Sequence, residues 1–239
     1  MNAAQPLSVT ERTRIRRHSE RARNDRSELY DVLDAGMICH FAVVRDGSPA
    51  VLPTAYGRRG DALYLHGSSA NRTILAADGQ PVCVAVTHLD GLVCARAAFS
   101  HSVNYRSAVV FGVATLVTDH AERLAALRAV TQQLIPGRWD SLREPSRKEL
   151  AATAVLAVPL AEASVKIRTG PPADDPADLD ADVWAGVVPV ALTFGEPEPD
   201  AALRPGTPVP DHITRLGNGR RAGQRGAARR GVPAAGAGA

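Results

Sequence analysis

The feature that most constrains the fold is a succession of short apolar segments with an alternating pattern in the middle of the chain. They run from Met37 to Val117 and are separated by turn sequences such as Asp46-Gly47. Asp-Gly between two such segments is a strong hairpin signal, because both turn positions need a positive φ. Consecutive hairpins give an antiparallel sheet, which hides its edges when it closes on itself. The sequence therefore predicts a mainly β fold, an antiparallel barrel with peripheral helices.

The periodicity assigns most of the central region to strands and a few helices. The predicted strands cover residues 37–44, 50–58, 62–66, 81–87, 92–99, 105–117, 152–158, 164–168 and 184–193. The predicted helices cover residues 26–35, 69–77 and 119–134. The last of these is amphipathic, because Leu124, Leu127 and Val130 recur at helical spacing.

The ends of the chain differ in composition from this central domain, which we place at residues 25–195. Residues 1–24 form an arginine-rich arm, either loose or helical, residues 196–214 a proline-rich extension, and residues 215–239 a Gly/Ala/Arg tail. The tail cannot bury enough apolar surface to offset its chain entropy, so we predict that it is disordered. The arginines concentrate at the two ends, so the net charge of +3 does not predict a nucleic-acid partner.

Targeting and metal-binding patterns are absent from the sequence. It has neither an apolar run of membrane-spanning length nor a secretory signal, so we expect a cytoplasmic protein without a membrane partner. Cys39, Cys83 and Cys94 form no CxxC pair and lie in apolar stretches, which favours buried, reduced thiols over a zinc site. The sequence also lacks the P-loop, the dinucleotide fingerprint, the nucleophile elbow and the HExxH motif.

One segment, LYLHGSSANRTIL, has the composition of a phosphate site. A strand leads into Ser68 and Ser69, and a predicted helix follows with Arg72 near its start. The N–H groups at a helix N-terminus attract an anion, and a guanidinium binds phosphate through two hydrogen bonds. The alternative from spacing alone is an ordinary serine cap followed by a solvated arginine.

Three further segments carry polar or aromatic residues that suit a ligand site. Asn104, Tyr105, Arg106 and Ser107 lie where a polar stretch enters an apolar strand, which indicates either a ligand site or a hydrated loop. Lys166 and Arg168 share one face of a strand, which is equally typical of a solvated face. Trp184 either covers a flat ligand or closes one end of the barrel.

Together these segments resemble the pyridoxamine-5'-phosphate-oxidase-related flavoproteins, in particular the branch that includes 5-nitroimidazole-reductase-like proteins. The resemblance spans roughly residues 26–210 and is carried by VLPTAYGRRGDALYLHGSSANR, HSVNYRSAVVFG, SVKIRTGPPADD and VWAG. It implies a split β-barrel of antiparallel Greek-key type. It also implies a homodimer that holds FMN at the interface between its two subunits.

The resemblance also assigns roles to individual residues. Ser68, Ser69 and Arg72 match the element that binds the FMN phosphate, and His66 matches a histidine beside the flavin. Arg106 or Lys166 is expected to face the N1 and O2 edge of the ring. Val51, Leu52, Pro53 and Thr54 match the strand beside the isoalloxazine. Asn104, Tyr105, Arg106 and Ser107 match the polar segment at the flavin pocket. Trp184 matches a tryptophan near the flavin of the partner subunit.

Two departures argue against pyridoxamine-5'-phosphate oxidation itself. Pro53 and Thr54 stand where the authentic oxidases carry basic residues, and the chain lacks their arginine-rich C-terminal signature. The expected activity is an FMN-dependent oxidoreductase that takes electrons from a nicotinamide or another donor and reduces a small electrophile such as a nitroaromatic. His66 is the expected catalytic residue, which positions substrate or donates a proton. The alternatives are a split barrel that binds F420 or haem, and a non-catalytic flavin-binding protein.

Overall fold

A computed structural model describes residues 6–216 of the 239 residues. The described residues form two compact units. The first unit lies within the ranges Met1–His88 and Arg106–Ile167, and the second lies within Leu89–Tyr105 and Arg168–Ala239. Most of the predicted tail, 215–239, lies outside the described residues.

The described strands pair in antiparallel fashion, and helices flank them. The strands are β1 (Ala22–Arg23), β2 (Ile38–Arg45), β3 (Ser48–Arg59), β4 (Ala62–Ser68), β5 (Pro81–Cys94), β6 (Ser102–Val113), β7 (Thr115–Leu116), β8 (Thr153–Pro159), β9 (Glu162–Arg168) and β10 (Gly186–Pro189). Their order in the sheet is β1-β9-β6-β5-β2-β3-β4-β8-β7, with β10 paired to β5. The helices are α1 (Arg26–Ala35), α2 (Arg72–Ala76), α3 (His120–Leu134) and α4 (Arg147–Ala151). This architecture confirms the predicted mainly β fold with peripheral helices.

The hairpin between β2 and β3 forms as its sequence predicts. Asp46 and Gly47 both have positive φ values, 53° and 76°, and Arg45 pairs with Ser48. Both residues therefore occupy the left-handed conformation that a two-residue hairpin of this handedness requires. The turn fixes the register of the whole β2–β3 ladder, which continues to Ile38 and Ala55.

The core of the first unit is built from alternate residues of its strands. Inward-facing residues of β2, β3, β4, β5 and β8 are buried together with the apolar side of α1. The largest fully buried side chains are Phe41, Tyr56, Leu29, Leu33, Leu63, Leu65, Ile74, Leu156 and Leu160. A smaller cluster lies on the opposite face, where Tyr64 and Val155 pack with Ala126 of α3.

The N-terminal segment is neither a loose arm nor a long helix where it is described. Its residues Ala22 and Arg23 form β1 and pair with Lys166 and Val165 of β9. Leu7 is buried, and the Ser8 hydroxyl donates to the Ala161 carbonyl at 2.9 Å. The segment therefore continues the sheet beyond β9.

The second unit contains β10, the end of β5 and a buried polar network. β10 pairs with the last residues of β5, from Gly186 opposite Cys94 to Pro189 opposite Gly91. The buried Arg168 donates to the Asn104 side chain and, at 3.2 Å, to the Pro171 carbonyl. The Asn104 amide donates to Gly170 O at 3.1 Å, so the two side chains fix the turn after β9.

Several element predictions were wrong in their boundaries. The strand predicted at 105–117 is two strands, β6 and β7, and β6 begins at Ser102. The helix predicted at 69–77 is α2, which begins at Arg72 because the Asn71 side chain caps it. The strands predicted at 81–87 and 92–99 are one continuous strand, β5. The last strand begins at Gly186, so Trp184 precedes it. Within residues 6–216, no helix is both long and apolar enough to cross a membrane.

Candidate functional site

The sheet of the first unit is split between β3 and β4. The two strands pair only from Tyr56 opposite Leu65 to Arg59 opposite Ala62. Beyond this ladder β3 continues with β2 as its partner, while β4 continues with β8 as far as Ser68. Among the described residues, no strand pairs with the other edge of β3 from Ser48 to Ala55. That edge offers a row of unpaired backbone N–H and C=O groups, which proteins normally cover.

An apolar surface, which we call the outer face, adjoins the split. Residues paired directly across an antiparallel ladder share a face, so the outward residues of β2 and β3 form one surface. Val44, Val51 and Ile38 on this surface are 63%, 61% and 52% exposed. The full outer face comprises Ile38, His40, Ala42 and Val44 of β2, Pro49, Val51, Pro53 and Ala55 of β3, and Cys83 and Ala85 of β5. Contiguous exposed apolar surface of this kind indicates a binding or interaction site.

The four residues predicted to lie beside a flavin ring divide between the two faces of β3. Val51 and Pro53 belong to the outer face, whereas Leu52 and Thr54 point to the opposite side and are half-buried. All four lie on the part of β3 whose second edge is unpaired. A flat ring at the split would therefore meet the backbone of this segment as well as the Val51 and Pro53 side chains.

The turn between β4 and α2 does not form the helix-terminus anion site that the sequence indicated. Asn71 accepts hydrogen bonds from Thr73 N at 3.0 Å and from Ile74 N at 3.2 Å, so these N–H groups are occupied. Ser68 Oγ accepts from Ala70 N at 3.2 Å, and Ser69 N donates to Ala152 O at 2.8 Å. Because α2 has only five residues, its dipole is also weak. A phosphate bound at this turn would therefore be held by side chains rather than by these backbone N–H groups.

Those side chains are exposed and cationic or hydroxylic. Arg72 is exposed and makes no hydrogen bond or ion pair within residues 6–216. Ser68 and Ser69 are exposed on the same turn. Arg45, which sequence reasoning missed, donates to Thr73 Oγ1 at 2.9 Å and so brings a second guanidinium to α2. Its position just before the Asp46-Gly47 turn was the only signal in the sequence.

His66 lies on β4 at the point where β3 and β4 separate. It is paired with Val155 of β8 and follows Leu65, the last residue of β4 in the ladder with β3. Its Nδ1 atom is buried and has no hydrogen-bond partner among the described residues. Burial also lowers the pKa of His66, because desolvation disfavours the charged imidazolium. Desolvation thus favours the neutral ring, which has unused hydrogen-bonding or ligating capacity.

Lys166 and Ser107 are engaged within the first unit. Lys166 Nζ donates to the Arg17 carbonyl at 3.0 Å, which ties β9 to the N-terminal segment. Ser107 Oγ donates to Lys166 O at 3.3 Å across the β6–β9 pair. Arg106 is half-buried on β6. Both candidates for the flavin N1 and O2 edge already interact with other groups of the chain, so neither is favoured over the other.

The remaining predicted residues belong to the second unit. Asn104 and Arg168 hold the turn at Gly170, and Tyr105 is half-buried beside Asn104 on β6. Trp184 is 67% exposed. Its ring lies against Gly186, where an added Cβ would stand 2.9 Å from Cζ2. The tryptophan therefore offers most of its surface to a ligand or partner.

The three cysteines are buried or half-buried. Cys39 is fully buried, and burial raises its pKa to about 12. Burial also raises the pKa of Cys83. Among residues 6–216, no group of three or more His, Cys, Asp or Glu side chains is placed to hold a metal ion.

Comparisons with known proteins identify a family and several structures with a similar fold. A family model described as pyridoxamine 5'-phosphate oxidase matches residues 25–167. No curated protein gives a significant match. Among solved structures, the flavocytochrome Anf3 from Azotobacter vinelandii is 41% identical with a TM-score of 0.83, and the match covers 88% of this chain and 99% of that one.

Two further solved structures extend this comparison. The FAD and haem binding protein from Mycobacterium smegmatis is 40% identical with a TM-score of 0.79, over 82% of this chain and 97% of that one. A Bacteroides thetaiotaomicron protein provisionally assigned to 5-nitroimidazole antibiotic resistance is 19% identical with a TM-score of 0.52, over 61% and 86%. The last likeness shows the fold alone. This chain belongs to the pyridoxamine 5'-phosphate oxidase family and has its split-barrel fold.

Proposed function

We propose that this chain is a redox protein that binds a flavin at the split between β3 and β4 and also binds haem. The single observation that carries the flavin proposal is the unpaired edge of β3 from Ser48 to Ala55, next to an uncovered apolar face. A flavin ring has flat apolar faces and a polar rim, so it suits a strand edge bordered by aliphatic side chains. When bound, the flavin supplies two-electron and the haem one-electron redox chemistry.

The residues at the split fit the parts of a flavin nucleotide. The edge of β3 offers backbone donors and acceptors to the rim of the ring. Val51 and Pro53 exclude water from one side of it. Arg72, with Ser68 and Ser69, offers an unpaired guanidinium and two hydroxyl groups to a phosphate. The chain thus supplies binding and orientation, while the redox chemistry belongs to the cofactor.

One relative near 40% identity is named as an FAD and haem binding protein and the other as a flavocytochrome, which together favour a flavin with haem, and FAD over FMN. The family resemblance implied FMN, and both nucleotides share the ring and the first phosphate that the split suits. We therefore propose FAD as the flavin and treat FMN and F420 as outcomes of the test. A small electrophile such as a nitroaromatic stays a candidate acceptor, supported only by the resemblance.

We also propose that a second copy of the chain covers the outer face. The face is apolar and exposed over β2 and β3, and an uncovered surface of this kind favours association. A homodimer would enclose a cofactor bound at the split and exclude water from it. The substitution Val51→Glu, at a 61% exposed position in the middle of the face, should produce monomers and weaken flavin binding.

The test is the composition of the purified protein. Heat-released flavin is identified by chromatography and mass, haem is measured as the pyridine haemochrome, and the assembly is weighed by light scattering. The proposal predicts a coloured dimer with FAD and haem near one per chain. A colourless monomer without affinity for FAD, FMN or hemin would refute it.

A further inference from the structure

We propose that His66 supplies an axial imidazole ligand to the haem iron. This inference rests on the haem binding proposed above. Haem needs little more from a protein than one or two axial ligands and an apolar slot for the macrocycle. A single histidine beside an apolar surface meets this need.

The ring of His66 is not held by a hydrogen bond among the described residues. Nδ1 is buried and has no partner there, so neither of its nitrogens is already committed to another protein group. Nε2 also has no protein partner within residues 6–216, but it is not among the buried unpartnered atoms and so retains access from outside. The Nε2 lone pair of a neutral imidazole is a common iron ligand in haem proteins.

The surroundings of His66 suit a flat hydrocarbon ring. On its own face of the sheet, Tyr64 precedes it by two residues and Val155 lies directly across on β8, and both are buried. On β3 the same face continues with Ala55, which belongs to the apolar outer face. His66 thus lies on a rigid strand between a packed region under α3 and an uncovered apolar region.

Most other histidines are already engaged or solvated. His88 Nε2 bonds to Val32 O at 2.9 Å, His101 Nδ1 to Ala97 O at 3.0 Å, and His18 Nδ1 to Glu20 at 3.1 Å. His120 is exposed at the first position of α3.

Two rivals remain. His40 lies on the outer face but is exposed, so its ring has the alternative of bonding to water. His212 has a buried, unpartnered Nε2 atom, but it lies outside the residues matched by the family model.

The experiment titrates hemin into the flavin-loaded protein and its variants His66→Ala, His66→Gln, His40→Ala, His212→Ala and His101→Ala. The readouts are the Soret spectrum, the electron paramagnetic resonance of the ferric iron, and flavin content as a check on folding. We expect His66→Ala and His66→Gln to keep flavin, to lose the wild-type ligation spectrum and to bind hemin at least about tenfold more weakly. Added imidazole should restore the spectrum in His66→Ala. His101→Ala is the matched control and should behave as wild type.

The outcomes separate this inference from the proposed function. If the wild-type protein does not bind hemin, the proposed haem function fails. If wild type binds hemin and His66→Ala retains the same ligation spectrum, the inference is overturned while the function stands. The same holds if only His40→Ala or His212→Ala loses the spectrum. Unchanged hemin ligation with slower flavin turnover in His66→Ala would instead support the catalytic role that the family resemblance implied.

Discussion

Gly57 of β3 lies directly against the backbone of Ala129 in α3. A Cβ added to Gly57 would stand 2.8 Å from Ala129 O and closer still to the Ala129 carbonyl carbon and Val130 N. Only glycine therefore allows α3 to pack this closely on the sheet. The contact positions α3 over Tyr64 and Val155, beside His66.

The substitution Gly57→Ala should destabilise the fold, because the atoms it meets belong to helix backbone and cannot rotate away. We expect the free energy of unfolding to fall by about 2 kcal/mol, typical of overpacking. Urea denaturation followed by circular dichroism measures it. Gly195→Ala is the control, since a Cβ there meets nothing within 4 Å. Equal stabilities of the two variants would contradict the close packing of α3.

Arg72→Ala should weaken binding of the flavin nucleotide through loss of the phosphate contact. We expect the dissociation constant for FAD to rise at least about tenfold, as is typical for a lost charge-assisted hydrogen bond. Riboflavin, which has no phosphate, should bind the variant and wild type equally. Fluorescence titration measures both ligands, with Arg204→Ala as the exposed control. Equal FAD affinity in Arg72→Ala and wild type would remove Arg72 from the site.

Asn71→Ala should fray α2, because Asn71 caps the N–H groups of Thr73 and Ile74. The expected loss of stability is about 1 kcal/mol. Hydrogen exchange of the Thr73 and Ile74 amides should accelerate, whereas exchange in β8 should not. If these two amides exchange as slowly as in wild type, the cap does not hold α2 in solution.

Arg168→Ala should cost more stability than Lys166→Ala, although the two residues lie two apart on β9. Arg168 is buried and its loss leaves Asn104 Oδ1 and Pro171 O without their donor. We expect a loss of about 3 kcal/mol, against less than about 1 kcal/mol for Lys166→Ala, which removes one hydrogen bond to Arg17. Arg168→Lys should recover only part of the stability lost in Arg168→Ala, because lysine lacks the planar guanidinium group with its several donors. Comparable losses from both alanine variants would contradict the network.

Cys39 should be inert in the folded protein. Burial raises its pKa to about 12, so almost no thiolate exists at pH 8. Mass spectrometry after iodoacetamide treatment should find Cys39 unmodified in the native chain and fully modified in urea. Modification of native Cys39 at the rate of an unfolded peptide would show that the β2–β3 core opens readily.

Local sequence signals predicted the elements whose ends are set by neighbouring residues. The helix predicted at 26–35 is confirmed because Asp25 caps its start and Gly36 follows its end. The β2–β3 hairpin is confirmed because Asp46-Gly47 determines the turn. In both cases the decisive interaction joins residues that are close in sequence, so the sequence alone is enough to predict it.

The failed predictions depended on contacts distant in sequence or on competition between similar caps. The segment His88 to Gly91 has the composition of a turn, yet it continues β5, where β10 covers Gly91. An added Cβ at Gly91 would stand 3.0 Å from Val187 Cγ1. The close approach of β10 to β5 therefore accounts for a glycine at this position. Ser69 and Asn71 are both good caps, and the sequence could not rank them. Lys166 bonds a residue 149 positions away, which periodicity cannot reveal.

A crystal structure of the protein loaded with FAD tests the proposed flavin site most directly. We predict an isoalloxazine ring against the free edge of β3 between Ser48 and Ala55, with a phosphate contacted by Arg72. A ring bound elsewhere, with that edge of β3 covered by protein alone, would contradict it.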